Sequence, residues 1–352
     1  MIHQWPDLKG HHEQRELFRR SIARGRLSHA YVFAGPGGIG KRQFARLLAK
    51  SLFCREHPNE DVEACGECRA CRGFEAGTWP DFLEITRPAG KSQIPIDLLI
   101  GSPEKRGREG MCYELSMAPQ ASDRRVAIID DVQTLGVEGA NALLKTLEEP
   151  AAHALMILVV DNPDSLLPTI RSRCQIIRFF PLPESDIASI VLSEQWVENP
   201  DDAAIVASMA DGSLSTAQQL LNPELRKLRD ALHEQLSRLE KMQPLVIAHQ
   251  LADELDKLSA TGDEERRNAK WLLHFVADFL QHRLRQLATG DLSDPLTQRF
   301  GVRYGVDLLG PLLGRTIQAT HQIEANSPVR LVLEALFDDF ARQLRLGPLS
   351  AR

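Results

Sequence analysis

Hydrophobic and polar positions fall into two regimes along this chain. Between Tyr31 and about Phe180, short apolar runs alternate with stretches of helical period. Tyr31-Val32-Phe33, Val126-Ala127-Ile128-Ile129 and the run from Leu155 to Val160 are rich in β-branched residues and lack polar alternation. That is the pattern of strands buried on both faces of a parallel sheet. Between them, Phe44, Leu47, Leu48 and Leu52 recur at helical spacing after Lys41. Ala140, Leu143, Leu144 and Leu147 do so before Pro150, which stops the helix. Strands alternating with helices predict a parallel α/β domain.

Beyond Phe180 the strand signals fade. Pro181-Leu182-Pro183 reads as a linker, followed by two short helical patterns ending near Gly212-Ser213-Leu214, enough for a small helical lid. Asn222-Pro223-Glu224 then reads as a helix start, with a cap, a proline at the first helical position and an acid in the first turn. Leu225, Leu228, Leu232, Leu236 and Leu239 form one apolar stripe, and Trp271 to Leu287 and Leu331 to Leu344 are further amphipathic segments. The expected domains are 1–181, 182–221 and 222–352, the last all-helical.

Charge narrows the function. With 42 basic and 48 acidic side chains the formal net charge is −6, so the molecule is not a general electrostatic glove for nucleic acid. A zinc-dependent DNA-binding protein is disfavoured on that ground, and any DNA contact is local or made through partners. Lys105, Arg106 and Arg108, in the poorly readable stretch 91–119, read as a solvated loop rather than a DNA contact. No run approaches the ~20 apolar residues of a membrane span, and the start, Met1 to Trp5, has no basic segment followed by an apolar core. A cytoplasmic protein is expected.

Four of the six cysteines, Cys54, Cys65, Cys68 and Cys71, are bunched with Gly66 permitting a tight turn between them. Four thiolates so spaced can wrap a tetrahedral Zn²⁺ with no position left for water, a structural site. His57 is a less favoured substitute ligand, and Cys112 and Cys174 read as ordinary buried residues.

Gly35-Pro-Gly-Gly-Ile-Gly-Lys41 follows a predicted strand and opens a predicted helix, the context of a phosphate-binding loop. Gly35, Gly38 and Gly40 would let backbone N–H groups curl around phosphate oxygens while Lys41 reaches the outer phosphates. The next residue, where a Ser or Thr hydroxyl would hold Mg²⁺, is Arg42, which has no lone pair to offer. Asp130 and Asp131 end the second strand, where acids could hold Mg²⁺ through water. ATP and Mg²⁺ binding is therefore expected to be weak or absent.

Leu27-Ser-His-Ala-Tyr31, the four-cysteine insert after the loop's helix, Asn141-Ala-Leu-Leu-Lys-Thr-Leu-Glu-Glu-Pro150 and Ser172-Arg173-Cys174 together resemble bacterial DNA polymerase III clamp-loader subunits of the AAA+ class. The resemblance covers almost the whole chain, with Asn326 and Leu331 to Leu336 resembling the oligomerising collar. It implies an AAA+ P-loop α/β domain with a zinc insert at 54–71, a lid and a collar. It also implies a hetero-pentameric ring with delta and tau/gamma subunits, acting on a sliding clamp and primer-template DNA. Arg42, Val160-Asp161 and Gly212-Ser213-Leu214-Ser215 stand where the tau/gamma motor type has hydrolytic residues, so the non-hydrolysing delta-prime type is the better match and the motor type the alternative. Arg173, with Arg171 nearby, is then the expected arginine finger, a planar fork of donors supplied to a neighbour's ATP.

Overall fold

The computed structural model describes residues 4–88, 91, 93–237, 243–259, 261–290, 293–295, 297–298, 301 and 305–346. The chain divides into two compact units, 1–218 and 219–352.

The first unit is built on five parallel strands: β1 (Ala30–Ala34), β2 (Phe82–Ile85), β3 (Arg125–Ile129), β4 (Ala154–Val160) and β5 (Gln175–Arg178), in the order β2-β3-β4-β1-β5. β1 and β3 are buried at every position. Because side chains alternate across a strand, each central strand feeds two cores. Tyr31, Phe33, Val126, Ile128 and Ile157 face α1 (His12–Ala23) and α2 (Lys41–Phe53), meeting Phe18, Phe44 and Leu48. Val32, Ala127, Ile129, Met156 and Leu158 enter the other core, with residues of α4 (Asp97–Ile100), α5 (Met111–Ser116), α6 (Val137–Glu148) and α7 (Pro168–Arg171). A short helix, α3 (Arg69–Glu75), separates α2 from β2.

The two expected helices of this unit are present, and α6 ends just before Pro150. After β5 come α8 (Glu184–Ser193), α9 (Pro200–Met209) and α10 (Leu214–Leu220). The second unit is helical: α11 (Pro223–Ser237), α12 (Pro244–Lys257), α13 (Gly262–Thr289), α14 (Gly305–Glu324) and α15 (Val329–Leu346). α11 starts at Pro223 as expected, the Asn222 side chain accepting from the Glu224 N–H at 3.0 Å. Leu225, Leu228, Leu232 and Leu236 are buried as one stripe; Leu239 lies outside the described residues. No described helix is long and apolar enough to cross a membrane.

Candidate functional site

The loop from Gly35 to Gly40 runs between the end of β1 and the start of α2, and its residues Gly37 to Gly40 line a cleft of about 930 Å³. The opposite walls come from Leu8, Asp130, Asp131, Asp161, Leu182, Trp196 and Ser215. Gly38 has φ +73°, and a Cβ there would overlap the Ser215 side chain. Only glycine fits where the backbone passes that close. The Leu214 N–H donates to the Gly38 carbonyl at 3.0 Å, tying the start of α10 to the loop. His11 Nε2 donates to the Ile39 carbonyl at 2.7 Å, and burial lowers the His11 pKa.

Lys41 is turned into the loop and is only 5% exposed. Its ammonium donates to the carbonyls of Gly35 (2.6 Å) and Pro36 (2.7 Å) and to Asp161 Oδ1 (3.0 Å). Arg42 points across the sheet edge instead. Its Nε donates to Glu84 on β2 at 2.8 Å, one terminal nitrogen lies 3.6 Å from Asp130, and Arg46 pairs with the second Glu84 oxygen. Burial and the Asp131 charge raise the Asp130 pKa, with Arg42 opposing them. Asp131 sits in left-handed backbone, φ 53°, within 3.8 Å of Arg87. The structure brings Gly38, Gly40, Lys41, Asp130 and Asp131 to one cleft, joins Gly35 to them through the carbonyl that accepts from Lys41, and ties in two residues that the sequence does not point to, Asp161 on the cleft wall and Glu84 through Arg42. Glu84 lies on a strand with no clear period signal, and Asp161 had been read only as a departure from the motor type.

The four cysteines also converge. Cys54 caps the end of α2, Cys65 and Cys68 flank the Gly66 turn, and Cys71 lies in α3. Their sulfurs all lie within 4.8 Å of one another, with Cys65 and Cys71 at 3.9 Å. A tetrahedral zinc with Zn–S bonds of about 2.3 Å sets its sulfurs roughly 3.8 Å apart, so this spacing fits one ion. Backbone N–H groups point at the same sulfurs: Cys65 at Cys54 (3.4 Å), Glu67 and Cys68 at Cys65 (3.4 and 3.3 Å), and Cys71 at Cys68 (3.4 Å). Such donors favour thiolate over thiol. His57 is not among the clustered ligands. Cys112 and Cys174 are half-buried rather than fully buried, and desolvation raises both thiols, Cys174 to about 12.

Arg173 follows α7 and does not line the cleft. One terminal nitrogen lies 2.7 Å from Glu148, at the end of α6, and the other donates to the Thr169 carbonyl at 2.9 Å. The side chain is 35% exposed. Arg171 pairs with Asp164. Lys105 pairs with Glu109 at 2.6 Å on an exposed turn.

Residues 10–183 match the family described as DNA polymerase III, delta subunit. The chain is 32% identical over 231 residues to DNA polymerase III subunit delta′ of Pseudomonas aeruginosa, spanning 65% of this chain and 67% of that one. It is 35% identical over 214 residues to subunit delta′ of Bacillus subtilis, spanning 61% and 60%. It is also 33% identical over 236 residues to subunit tau of Bacillus subtilis, spanning 64% of this chain but 39% of that protein. With its P-loop on a parallel five-stranded sheet, its cysteine cluster and these matches, the chain belongs to the delta-prime-type clamp-loader subunit family of DNA polymerase III.

Proposed function

We propose that the chain is a non-hydrolysing subunit of the DNA polymerase III clamp loader. In this reading it sits in a hetero-pentameric ring with delta and tau/gamma subunits, helps load the sliding clamp on primed DNA, and presents Arg173 to a neighbour's ATP. The observation that carries the non-hydrolysing reading is Arg42. Its guanidinium pairs with Glu84 and approaches Asp130, so an internal cation already serves the carboxylate that would otherwise help hold a metal. A guanidinium accepts no lone-pair bond and repels Mg²⁺. The residues present therefore do not fit Mg²⁺ with ATP in this chain's own cleft. The cysteine tetrad, by contrast, fits one structural Zn²⁺, with Cys54, Cys65, Cys68 and Cys71 as its ligands.

Arg173 supports the second half of the reading through its exposure and position outside the cleft. Glu148 holds the guanidinium in the free chain, and a polyphosphate, carrying more charge than one carboxylate, replaces it on assembly. The test is a loader reconstituted with Arg173→Ala. Assembly should be unchanged while clamp- and DNA-stimulated ATP hydrolysis and clamp loading slow. An arginine supplied in trans is worth roughly a thousandfold or more at one site, but only one site of the ring is affected, so loading should fall further than bulk turnover. Lysine at this position should rescue poorly, because a point charge does not reproduce the bidentate fork. Unchanged hydrolysis and loading in the assembled variant would reduce Arg173 to a structural partner of Glu148. The competing reading, a tau/gamma-type motor, draws on the comparable identity to tau, 33% against 32% for delta′; steady ATP turnover by the isolated chain, abolished by Lys41→Ala, would establish it instead.

A further inference from the structure

Arg42 accounts for the metal but not for the phosphate. A phosphate-binding loop attracts anions through its backbone N–H groups and its lysine whether or not a metal is present. Something else must decide whether this loop takes a phosphate chain. All three hydrogens of the Lys41 ammonium are already engaged, two by the loop's own carbonyls and one by Asp161. Asp161 directly follows β4, the strand that pairs with β1, and the Val160 carbonyl before it accepts from the Gly35 N–H at 3.3 Å. The carboxylate is therefore carried to the loop by the sheet itself. A methyl group built on Gly37 would lie 3.6 Å from Asp161 Oδ2, so the carboxylate lies against the loop backbone where phosphate oxygens would approach.

We propose that Asp161 is the specificity determinant that keeps polyphosphates out of this cleft, acting as a resident anion that holds Lys41 inward and repels a second anion from the loop. The proposal deepens the non-hydrolysing reading and rests on it only for the identity of the excluded ligand. Two effects act in the same direction. A polyphosphate entering the loop has to take Lys41 from three acceptors, and it then sits directly beside the Asp161 carboxylate, which is 54% exposed, so each repulsion is partly screened but every negative charge of the ligand adds to it. Other acids face the cleft, among them Asp7, Asp130, Asp131 and Glu194. Asp130 has Arg42 close by and Asp131 has Arg87, whereas Asp161 is the acid in contact with the loop lysine.

The test is calorimetric titration of the full, chelator-free chain with ADP in buffer prepared without magnesium, which removes the magnesium question and leaves the cysteine cluster undisturbed. Asp161→Asn keeps the side chain's size and removes its charge; it should bind ADP about tenfold or more tighter than the native chain. Lys41→Ala added to Asp161→Asn should abolish the gain, because the released ammonium is what the phosphates meet. Glu194→Gln, which removes one negative charge elsewhere on the cleft wall, should give little or none of it. Equal affinity in the native chain and a folded Asp161→Asn chain overturns the proposal, as does an equal gain from Glu194→Gln. Should Asp161→Asn fail to fold, Asp161→Ser serves the same comparison. ATP turnover by the native chain is a separate readout: it would sink the non-hydrolysing reading without deciding how Asp161 acts.

Discussion

Asp81, just before β2, is fully buried and accepts from the N–H groups of Gln120, Ala121 and Ser122 and from the Ser122 hydroxyl, all at 2.7–2.8 Å. Arg125, also buried, lies 3.6 Å away and pairs with Glu114 at 2.7 Å. Burial works against the Asp81 charge, but the N–H and hydroxyl donors outweigh it and hold the carboxyl below its usual range. A carboxylate whose folded-state pKa is depressed contributes stability in full above its unfolded value, about pH 4, and loses it as pH falls through the folded value. Asp81→Asn should therefore lower stability near neutral pH by about 2–3 kcal/mol, since a buried amide replaces the charged acceptor of the Gln120, Ala121 and Ser122 donors and turns its own N–H groups toward them. Denaturant midpoints measured between neutral and strongly acid pH check this: the gap between variant and native chain should close as the pH drops below about 4. Residue-level sequence reading finds none of this, because Asp81, Glu114 and Arg125 meet only once β2, β3 and α5 are assembled.

The elements that were legible in the sequence are those with a strong pattern. β1, β3 and β4 are central strands, apolar on both faces, and were readable as uninterrupted runs; α2, α6 and α11 were readable from period and caps. β2 and β5 are the edges of the sheet, each with one face less covered, and carry Glu84, Gln175 and Arg178 among few buried positions. Neither pattern stands out from a loop. Glu84 goes unread with β2, and with it the partner that holds the Arg42 guanidinium in place beside Asp130. Within 91–119, α4 and α5 are four and six residues long, too short for a helical period to show. The cysteine module was legible because ligand spacing is local, though the N–H groups aimed at its sulfurs were not. That module makes a prediction about α2: Cys54 caps the helix whose first residue is Lys41, so metal loss should fray its far end. Freshly purified chain should hold about one zinc by elemental analysis, and a strong chelator or Cys68→Ser should lower both the zinc content and the thermal midpoint. Absence of zinc from chelator-free protein would leave the four cysteines as unligated thiols.

Across the whole molecule, the two compact units differ in what they bring to the proposed assembly. The first holds the cleft, the cysteines and Arg173; the second is a set of helices with Leu245, Val246, Ile317 and Leu331 exposed on α12, α14 and α15. No whole-chain charge signal separates these roles, since the formal net charge is only −6 over 352 residues, which is why the family was legible from local motifs and not from composition. The inward turn of Lys41 also has a chemical consequence. An amine attacks an acylating reagent only through a free lone pair, and this nitrogen is buried with its hydrogens engaged by three acceptors. In a brief treatment of the intact chain with a hydroxysuccinimide ester, mass mapping should find Lys105, Lys227 and Lys257, all exposed, acylated early. Lys41 should stay silent, together with Lys50, which is buried beside Glu75. Acylation of Lys41 as fast as Lys105 would mean that its amine spends its time outside the loop, where it behaves as an ordinary surface nucleophile.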